Sequence, residues 1–189
     1  TKALHLLART SEAQQDVEVA LGENHIVFKT QRTTIFSKLI SGQFPNYERV
    51  IPNDNDLEMN IERDVLAAAV RRVSLFANQI TQQVRLTVSK NALTVQAEDE
   101  QIGGDASEAI PAIYSGDKFE VGYNSQYLLE ILRHLDTPDV LFQLKDGASA
   151  AIIRPVPPAG GKEGAEPEGE EQVMLLMPIR LNDAAKDAA

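Results

Sequence analysis

The chain has 189 residues, 43% of them hydrophobic, no cysteine, and 28 acidic against 18 basic side chains for a formal charge of -10. That length suffices for one or two domains with their own cores, and the lack of cysteine excludes a disulfide framework, thiolate catalysis and zinc ribbons. No apolar run approaches the roughly 20 residues a membrane helix needs, and the opening TKALHLLART is too short and polar for a secretory signal, so the sequence reads as a soluble protein of a reducing cytoplasm.

Taken in chain order, the periodicity gives a helical segment followed by alternating strands three times over. In the first copy Ala3 to Arg9 predicts a short helix. DVEVALGENHIVFKTQ then predicts a hairpin: Val17, Val19 and Leu21 alternate with polar residues, Gly22 to Asn24 turn, and Ile26 and Phe28 resume the alternation. A third strand is expected near Thr33 to Leu39. SGQFPNYERVIP, with two prolines between copies, reads as an ordered connector.

In the second copy Ile61, Val65, Val70 and Val73 fall at helical spacing, with Asp64 to Ser74 as the middle of that helix. VRLTVSKNALTVQAED predicts a hairpin turning at Ser89 to Asn91, and a third strand is expected around Ala109 to Ser115. FEVGYN reads as a connecting strand. In the third copy Asn124 or Ser125 can cap a helix through Tyr127, Leu128, Ile131, Leu132 and Leu135. DVLFQLKDGASAAIIRPV predicts a hairpin about Asp146 and Gly147, and VMLLMPIRL a single last strand.

The unit therefore recurs at roughly 60 residues, the size of half of a pseudo-symmetric domain. Two halves back to back make one domain of two helices against antiparallel sheets, which copies two and three supply from about Met59 to Leu181. Copy one lacks a mate. Since an isolated half leaves an apolar helix face and open strand edges, and the chain starts at Thr1, a longer parent chain is expected.

Charge is uneven along the chain. Five glutamates and one lysine fall between Pro157 and Gln172, in a Pro/Gly-rich stretch that reads as a mobile acidic loop. Its GGKEG has no Ser or Thr after Lys162 and no helix following, which excludes a phosphate-binding loop. On the second helix Arg63, Ala67, Arg71 and Ser74 are expected on one stripe opposite Val65 and Val73, with Arg72 alongside. From one helix alone that pattern describes any solvated face. His5, His25 and His134 sit in different half-units with no ligand spacing, and no GxSxG, P-loop or paired-carboxylate signature occurs, so no enzyme activity and no cofactor is expected. Neighbouring carboxylates on a strand point to opposite faces, which argues against a metal at the acidic run from Glu98 to Glu108.

FPNYERVIP, QVRLTVSKNALTVQAED, YSGDKFEVGYNSQYLLEIL and VMLLMPIRL, in that order, resemble the bacterial DNA sliding clamp, the DNA polymerase III beta subunit. The likeness covers Thr1 to Leu181, and FPxYxRV and MPIRL flanking a single domain are specific together. It implies the α+β clamp fold of repeated helix-plus-antiparallel-sheet half-domains: residues 1–58 as the second half of the middle domain with its connector, 59–182 as the third domain with the acidic loop 157–172, and 183–189 as a tail beyond the usual family end. The implied function is a processivity factor that encircles duplex DNA without reading its sequence. It would tether the replicative polymerase, clamp loader and repair polymerases through short peptides, as a head-to-tail homodimer when full-length. The resemblance assigns a peptide groove to Pro45, Arg49, Val50, Asn124, Tyr127, Ala148, Ala150, Leu175, Leu176, Met177, Pro178, Ile179, Arg180 and Leu181. An apolar Leu-Leu-Met-Pro-Ile surface suits such a role because Met adapts to varied ligands, although alternation sends about half of a strand to the core. Lys2, Arg9, Arg63, Arg71, Arg72 and Arg133 become DNA-facing, and Leu75, Phe76, Glu98, Asp99, Glu100, Asp105 and Glu108 the dimer contact. The readings set against it are a peptide-binding adaptor or structural repeat protein unrelated to DNA, and a metal-dependent nuclease, which needs acidic residues converging in one pocket.

Overall fold

A computed structural model of the chain describes residues 2–11, 16–44, 46–99, 103–156 and 172–181. Pro45, Glu100, the acidic stretch 157–171 and the tail 183–189 lie outside the described residues. The chain forms two compact units, Thr1–Asn46 and Tyr47–Ala189.

In the first unit helix α1 (Lys2–Thr10) precedes an antiparallel sheet of β1 (Glu18–Leu21), β2 (His25–Lys29) and β3 (Thr34–Lys38) in the order β1-β2-β3. The register pairs Val19 with Phe28 and Phe28 with Ile35, so one face of the sheet is apolar across all three strands. α1 covers that face at β3, burying Phe28 and Ile35, while Val19 and Leu21 at the β1 end stay exposed. No residue of α1 is buried, and Leu4 and Leu6 face outward.

The second unit opens with a 3₁₀ turn at Tyr47–Arg49 and continues through β4 (Leu57–Glu62), α2 (Arg63–Val73), a 3₁₀ turn at Ser74–Phe76, β5 (Gln83–Ser89), β6 (Ala92–Asp99) and β7 (Gly104–Pro111). β8 (Phe119–Asn124), α3 (Ser125–Arg133), β9 (Asp139–Leu144), β10 (Ala151–Val156) and β11 (Met174–Leu176) complete it. Each half is thus a leading strand, a helix and three further strands. The two sheets have the orders β11-β10-β9-β4 and β7-β6-β5-β8, so each half lends its leading strand to the sheet of the other. β4 runs antiparallel to β9 from Leu57↔Leu144 to Glu62↔Asp139, and β8 to β5 from Gln83↔Asn124 to Val88↔Phe119. Two isolated bridges, Asn60↔Ile113 and Gly122↔Ile179, then link the leading strand of each half to the segment after that half's last strand.

Ile61 belongs to β4 and not to the second helix: Met59 and Ile61 are buried while Glu58 and Glu62 are exposed, the period of a strand. The third strand of that half spans Gly104–Pro111, earlier than the expected Ala109 to Ser115, and Pro111, lacking an N–H, ends it. Helix α3 stops at Arg133, so Leu135 fills the core from beyond the helix. The last segment is not one strand. Pro178 interrupts it after Leu176, and Ile179 crosses to pair with Gly122 of the other sheet.

A single apolar cluster unites the halves. It takes Met59 and Ile61 from β4, Leu66, Val70 and Val73 from α2, Leu128 and Leu132 from α3, Tyr123 from β8, and Val140 and Phe142 from β9. α3 begins at Asn124, whose side chain accepts the amides of Gln126 and Tyr127, a cap worth about 1 kcal/mol. Gly147 permits the β9–β10 turn to lie on β8, since a Cβ there would sit 2.2 Å from the Glu120 carbonyl oxygen. Phe142→Ala is expected to destabilise the second unit by about 3–5 kcal/mol in denaturant unfolding, and the exposed Leu21→Ser to change stability by no more than about 0.5 kcal/mol.

Candidate functional site

The switch of the last segment from one sheet to the other opens a cleft of about 550 Å³ between α3 and that segment, lined by Asn124, Tyr127, Glu130, Ile131 and the run from Leu175 to Ile179. α3 buries Leu128 and Leu132, which leaves Tyr127 and Ile131, one turn apart, on the cleft side. On the opposite wall, alternation sends Leu176 into the core and Met177 out; Tyr127 is 67% and Met177 58% exposed.

Gly122 makes the wall possible. Ile179 donates its amide to the Gly122 carbonyl at 2.8 Å. A Cβ on residue 122 would lie 2.7 Å from the Ile179 carbonyl oxygen and 2.8 Å from Leu181 Cδ2, closer than real contacts allow.

Of the groove residues expected from sequence, the cleft brings together Asn124, Tyr127, Leu175, Leu176, Met177, Pro178 and Ile179. Its lining does not include Arg49, Val50, Ala148, Ala150, Arg180 or Leu181. Arg49 and Val50 are exposed at the opening 3₁₀ turn, and Ala148 sits in the β9–β10 turn with its amide on Asp146 Oδ1 at 2.9 Å. Ala150 is buried, its carbonyl taken by Asn55 Nδ2 at 2.9 Å. Glu130 and Ile131 were not anticipated, although their spacing of three and four residues from Tyr127 is the signal that marks them.

The segment that leads into β4 is tied down beside this hairpin. Asn55 Nδ2 bridges the carbonyls of Gln143 and Ala150, both at 2.9 Å, and Asp54 pairs with Lys145 at 2.6 Å. That hydrogen bond and the attraction between the two hold the Asp54 carboxyl below, and the Lys145 ammonium above, their ordinary values.

The expected basic stripe of α2 is corrected by its burial. Ala67 faces the core with Leu66, Ala69, Val70 and Val73, so the outer face carries Asp64, Ala68, Arg71 and Arg72. Arg63 is turned inward: its guanidinium pairs with Asp64 and donates to the Leu135 carbonyl. Arg72 grips Glu108 of β7 by two hydrogen bonds of 3.0 and 2.6 Å, which raises the guanidinium's pKa and holds the Glu108 carboxyl below the usual glutamate range. Arg71 is exposed, and Arg133 is exposed with Glu130 at 2.7 Å. Lys2 and Arg9 are exposed on α1 of the first unit.

Leu75, 78% exposed, and Phe76 form an apolar step at the end of α2, with Phe76 against Gly104. Glu98 and Asp105 are direct cross-strand partners, whereas Asp99 on the other face of β6 is buried, with Asn78 Nδ2 at 3.4 Å from its carboxylate. The acidic residues thus divide between faces, and among the described residues no group of three or more His, Cys, Asp or Glu is placed to hold a metal. No helix among them is long and apolar enough to cross a membrane.

Two strand-exchanged half-modules and a cleft at the end of the second define a clamp-type domain. Residues 48–162, more than half of the chain, match the family model of the DNA polymerase III beta subunit, C-terminal domain. The beta sliding clamp of Pseudomonas aeruginosa is 32% identical over 94% of this chain and 45% of its own length, and that of Escherichia coli 28% identical over the same shares. A crystal structure of the P. aeruginosa protein superposes with a TM-score of 0.79 at 31% identity, covering 95% of this chain and 47% of that one. Another P. aeruginosa sliding clamp, solved bound to griselimycin, gives a TM-score of 0.76 at 31% identity, covering 95% of this chain and 46% of that one. The chain belongs to the DNA polymerase III beta subunit family and has its α+β sliding-clamp fold. It spans about 45% of the length of the curated relatives it matches.

Gly122→Ala is expected to cost about 1–3 kcal/mol in denaturant unfolding, because the crossing segment must shift to admit a methyl group. Side-chain NMR should show Glu108 titrating below the ordinary glutamate value and returning to it in Arg72→Ala. The sign follows from linkage: with its folded pKa depressed, Glu108 contributes stability above its unfolded pKa, and that contribution disappears as pH falls through the folded value.

Proposed function

We propose that this chain is part of a ring-forming DNA processivity clamp that acts by tethering and catalyses no reaction. Residues 1–58 then supply half of a middle clamp domain and its connector, and 59–182 the third domain. The ring surrounds duplex DNA in the cytoplasm, and the replicative polymerase, the clamp loader and repair polymerases dock through short peptides. Membership of the family supports the ring, and the observation that carries the docking role is the apolar cleft of Tyr127, Ile131 and Leu175 to Ile179. A short peptide with aliphatic or aromatic anchors would bury those anchors on Tyr127 and Met177, displacing water from surface already exposed and apolar.

The helix faces supply the other half of the reading. Arg71, Arg72 and Arg133 on the two helices, with Lys2 and Arg9 on α1, are exposed cations suited to phosphate oxygens, which carry no base information. Individually weak, salt-sensitive contacts suit a ring that holds DNA by topology and must slide. Leu75 and Phe76, with the acidic set Glu98, Asp99, Glu100, Asp105 and Glu108, are the residues we assign to the contact with the neighbouring protomer of the full-length homodimer. An apolar step with acidic side chains on the same half suits a partner surface that is apolar with basic residues.

In fluorescence anisotropy with a labelled short peptide built around Leu and Phe, Tyr127→Ala and Met177→Asp are expected to weaken binding by about tenfold or more with the fold intact by circular dichroism. Unchanged binding in both variants overturns the docking role. In the full-length protein, Arg71→Ala with Arg133→Ala is expected to lower affinity for duplex DNA uniformly across sequences and to flatten its salt dependence.

A further inference from the structure

Sulfur is scarce in this chain, which has no cysteine and three methionines, Met59, Met174 and Met177. Their surroundings differ. Met59 of β4 is fully buried in the shared core, and Met174 of β11 is half-buried against the same cluster. Met177 is 58% exposed and stands on the wall of the cleft, outside that cluster. An oxidant of the peroxide class must reach a lone pair of the thioether, so access ranks the three, and Met177 comes first.

The polar groups of the cleft decide what oxidation does there. The product is a sulfoxide, which places a hydrogen-bond acceptor on a side chain that was apolar. Asn124 Oδ1 accepts the amides of Gln126 and Tyr127, and Nδ2 donates to the Thr81 carbonyl at 3.1 Å. Glu130 contributes a carboxylate paired with Arg133, and Ile131, Leu175, Leu176, Pro178 and Ile179 carry hydrocarbon side chains. Apart from the Tyr127 hydroxyl and the second hydrogen of the Asn124 amide, no lining side chain can donate to a sulfoxide oxygen. Water solvates that oxygen while the cleft is open, and an apolar anchor that covers it removes the water without replacing its hydrogen bonds, which weakens binding. The fold is spared, because Leu176 and not Met177 fills the core at this place.

We propose that Met177 is a reversible oxidation site that lowers the affinity of the cleft for its ligands. The inference rests on the reading of the cleft as a peptide groove and adds its regulation. With hydrogen peroxide as oxidant, the Met177 sulfur attacks one peroxide oxygen, and the S–O bond forms as the O–O bond breaks. The sulfur gives up two electrons, and the hydrogen of the transferred oxygen passes to the leaving hydroxide, which departs as water. A methionine sulfoxide reductase returns the thioether, releasing the oxygen as water while two thiols become a disulfide.

The test treats the whole chain with dilute hydrogen peroxide and follows each methionine by peptide mass spectrometry. Affinity is read by anisotropy with a labelled, sulfur-free peptide built around Leu and Phe. Met177 is expected to gain one oxygen before Met174 and Met59, and binding to weaken about three- to tenfold with the circular dichroism unchanged. The two sulfoxide reductases of opposite epimer specificity together should restore it. Saturating peptide present during the treatment should slow oxidation of Met177 and not of Met174. Met174→Leu should respond to peroxide as the unaltered protein does, whereas Met177→Leu should hold its own starting affinity through the treatment. Oxidation of Met174 or Met59 ahead of Met177, or an affinity unmoved at full oxidation of Met177, would overturn the assignment. So would a loss that persists in Met177→Leu or that the reductases do not reverse. Failure of the peptide to bind the untreated protein at all would overturn the groove reading beneath it.

Discussion

β4 belongs by chain order to the half that carries α2, yet it hydrogen-bonds along its length to β9 of the other half, and β8 does the reverse on β5. Neither four-stranded sheet of the second unit can be completed by one half alone. The core follows from this exchange, since Met59 and Ile61 of β4 and Tyr123 of β8 reach the same apolar cluster as both helices. The two bridges, Asn60↔Ile113 and Gly122↔Ile179, repeat the same closure on each half. The cleft beside α3 is a consequence of the second bridge. Pro178 cannot donate to β10, the segment leaves that sheet, and Gly122 gives it room to dock on the other, with the gap between the crossing and α3 as the cleft.

The first unit has the same helix over three strands, and there β1 takes the place that β5 holds in the second unit. β5 is flanked by the exchanged strand β8, whereas among the described residues no strand pairs with the outer edge of β1, and Val19 and Leu21 remain exposed. The contrast shows what exchange contributes: the strand that receives a partner from the other half is buried on alternate residues and beyond, and the one that does not is exposed throughout. Charge is arranged locally in the same spirit. A chain of net charge -10 still presents Arg71 outward, while Glu108 is paired with Arg72, Glu130 with Arg133, and five glutamates are gathered in sequence between residues 157 and 172.

Much of this was legible in the sequence. The threefold repeat, the hairpins at Ser89 to Asn91 and about Asp146, and the cap at Asn124 each rest on local rules of turn and helix chemistry, and local rules are what a sequence states directly. Strand exchange is not local. Ile61 can be read equally as the start of a helix or as part of a strand, and only the pairing of β4 with β9 decides. The single final strand expected from VMLLMPIRL divided at Pro178 for the same reason: its second part follows a partner supplied by the other sheet. Ala67, small enough to sit at a core boundary or on a surface stripe, turned inward because α2 packs against both α3 and the sheet of its own half. In the cleft, the apolar residues other than Ile131 were recoverable from family likeness, while Ile131 and Glu130 joined them only when α3 was set beside the last segment.

The account stands on the claim that the crossing of the last segment makes a peptide dock. Its most direct test is an amide-resolved NMR titration of the isotopically labelled chain with a short apolar peptide. The largest shifts should fall at Tyr127, Ile131, Leu175, Met177 and Ile179, on the two walls of one cleft. Shifts gathered instead on α1 or on Leu75 to Ile80, with these five unmoved at saturation, would contradict it.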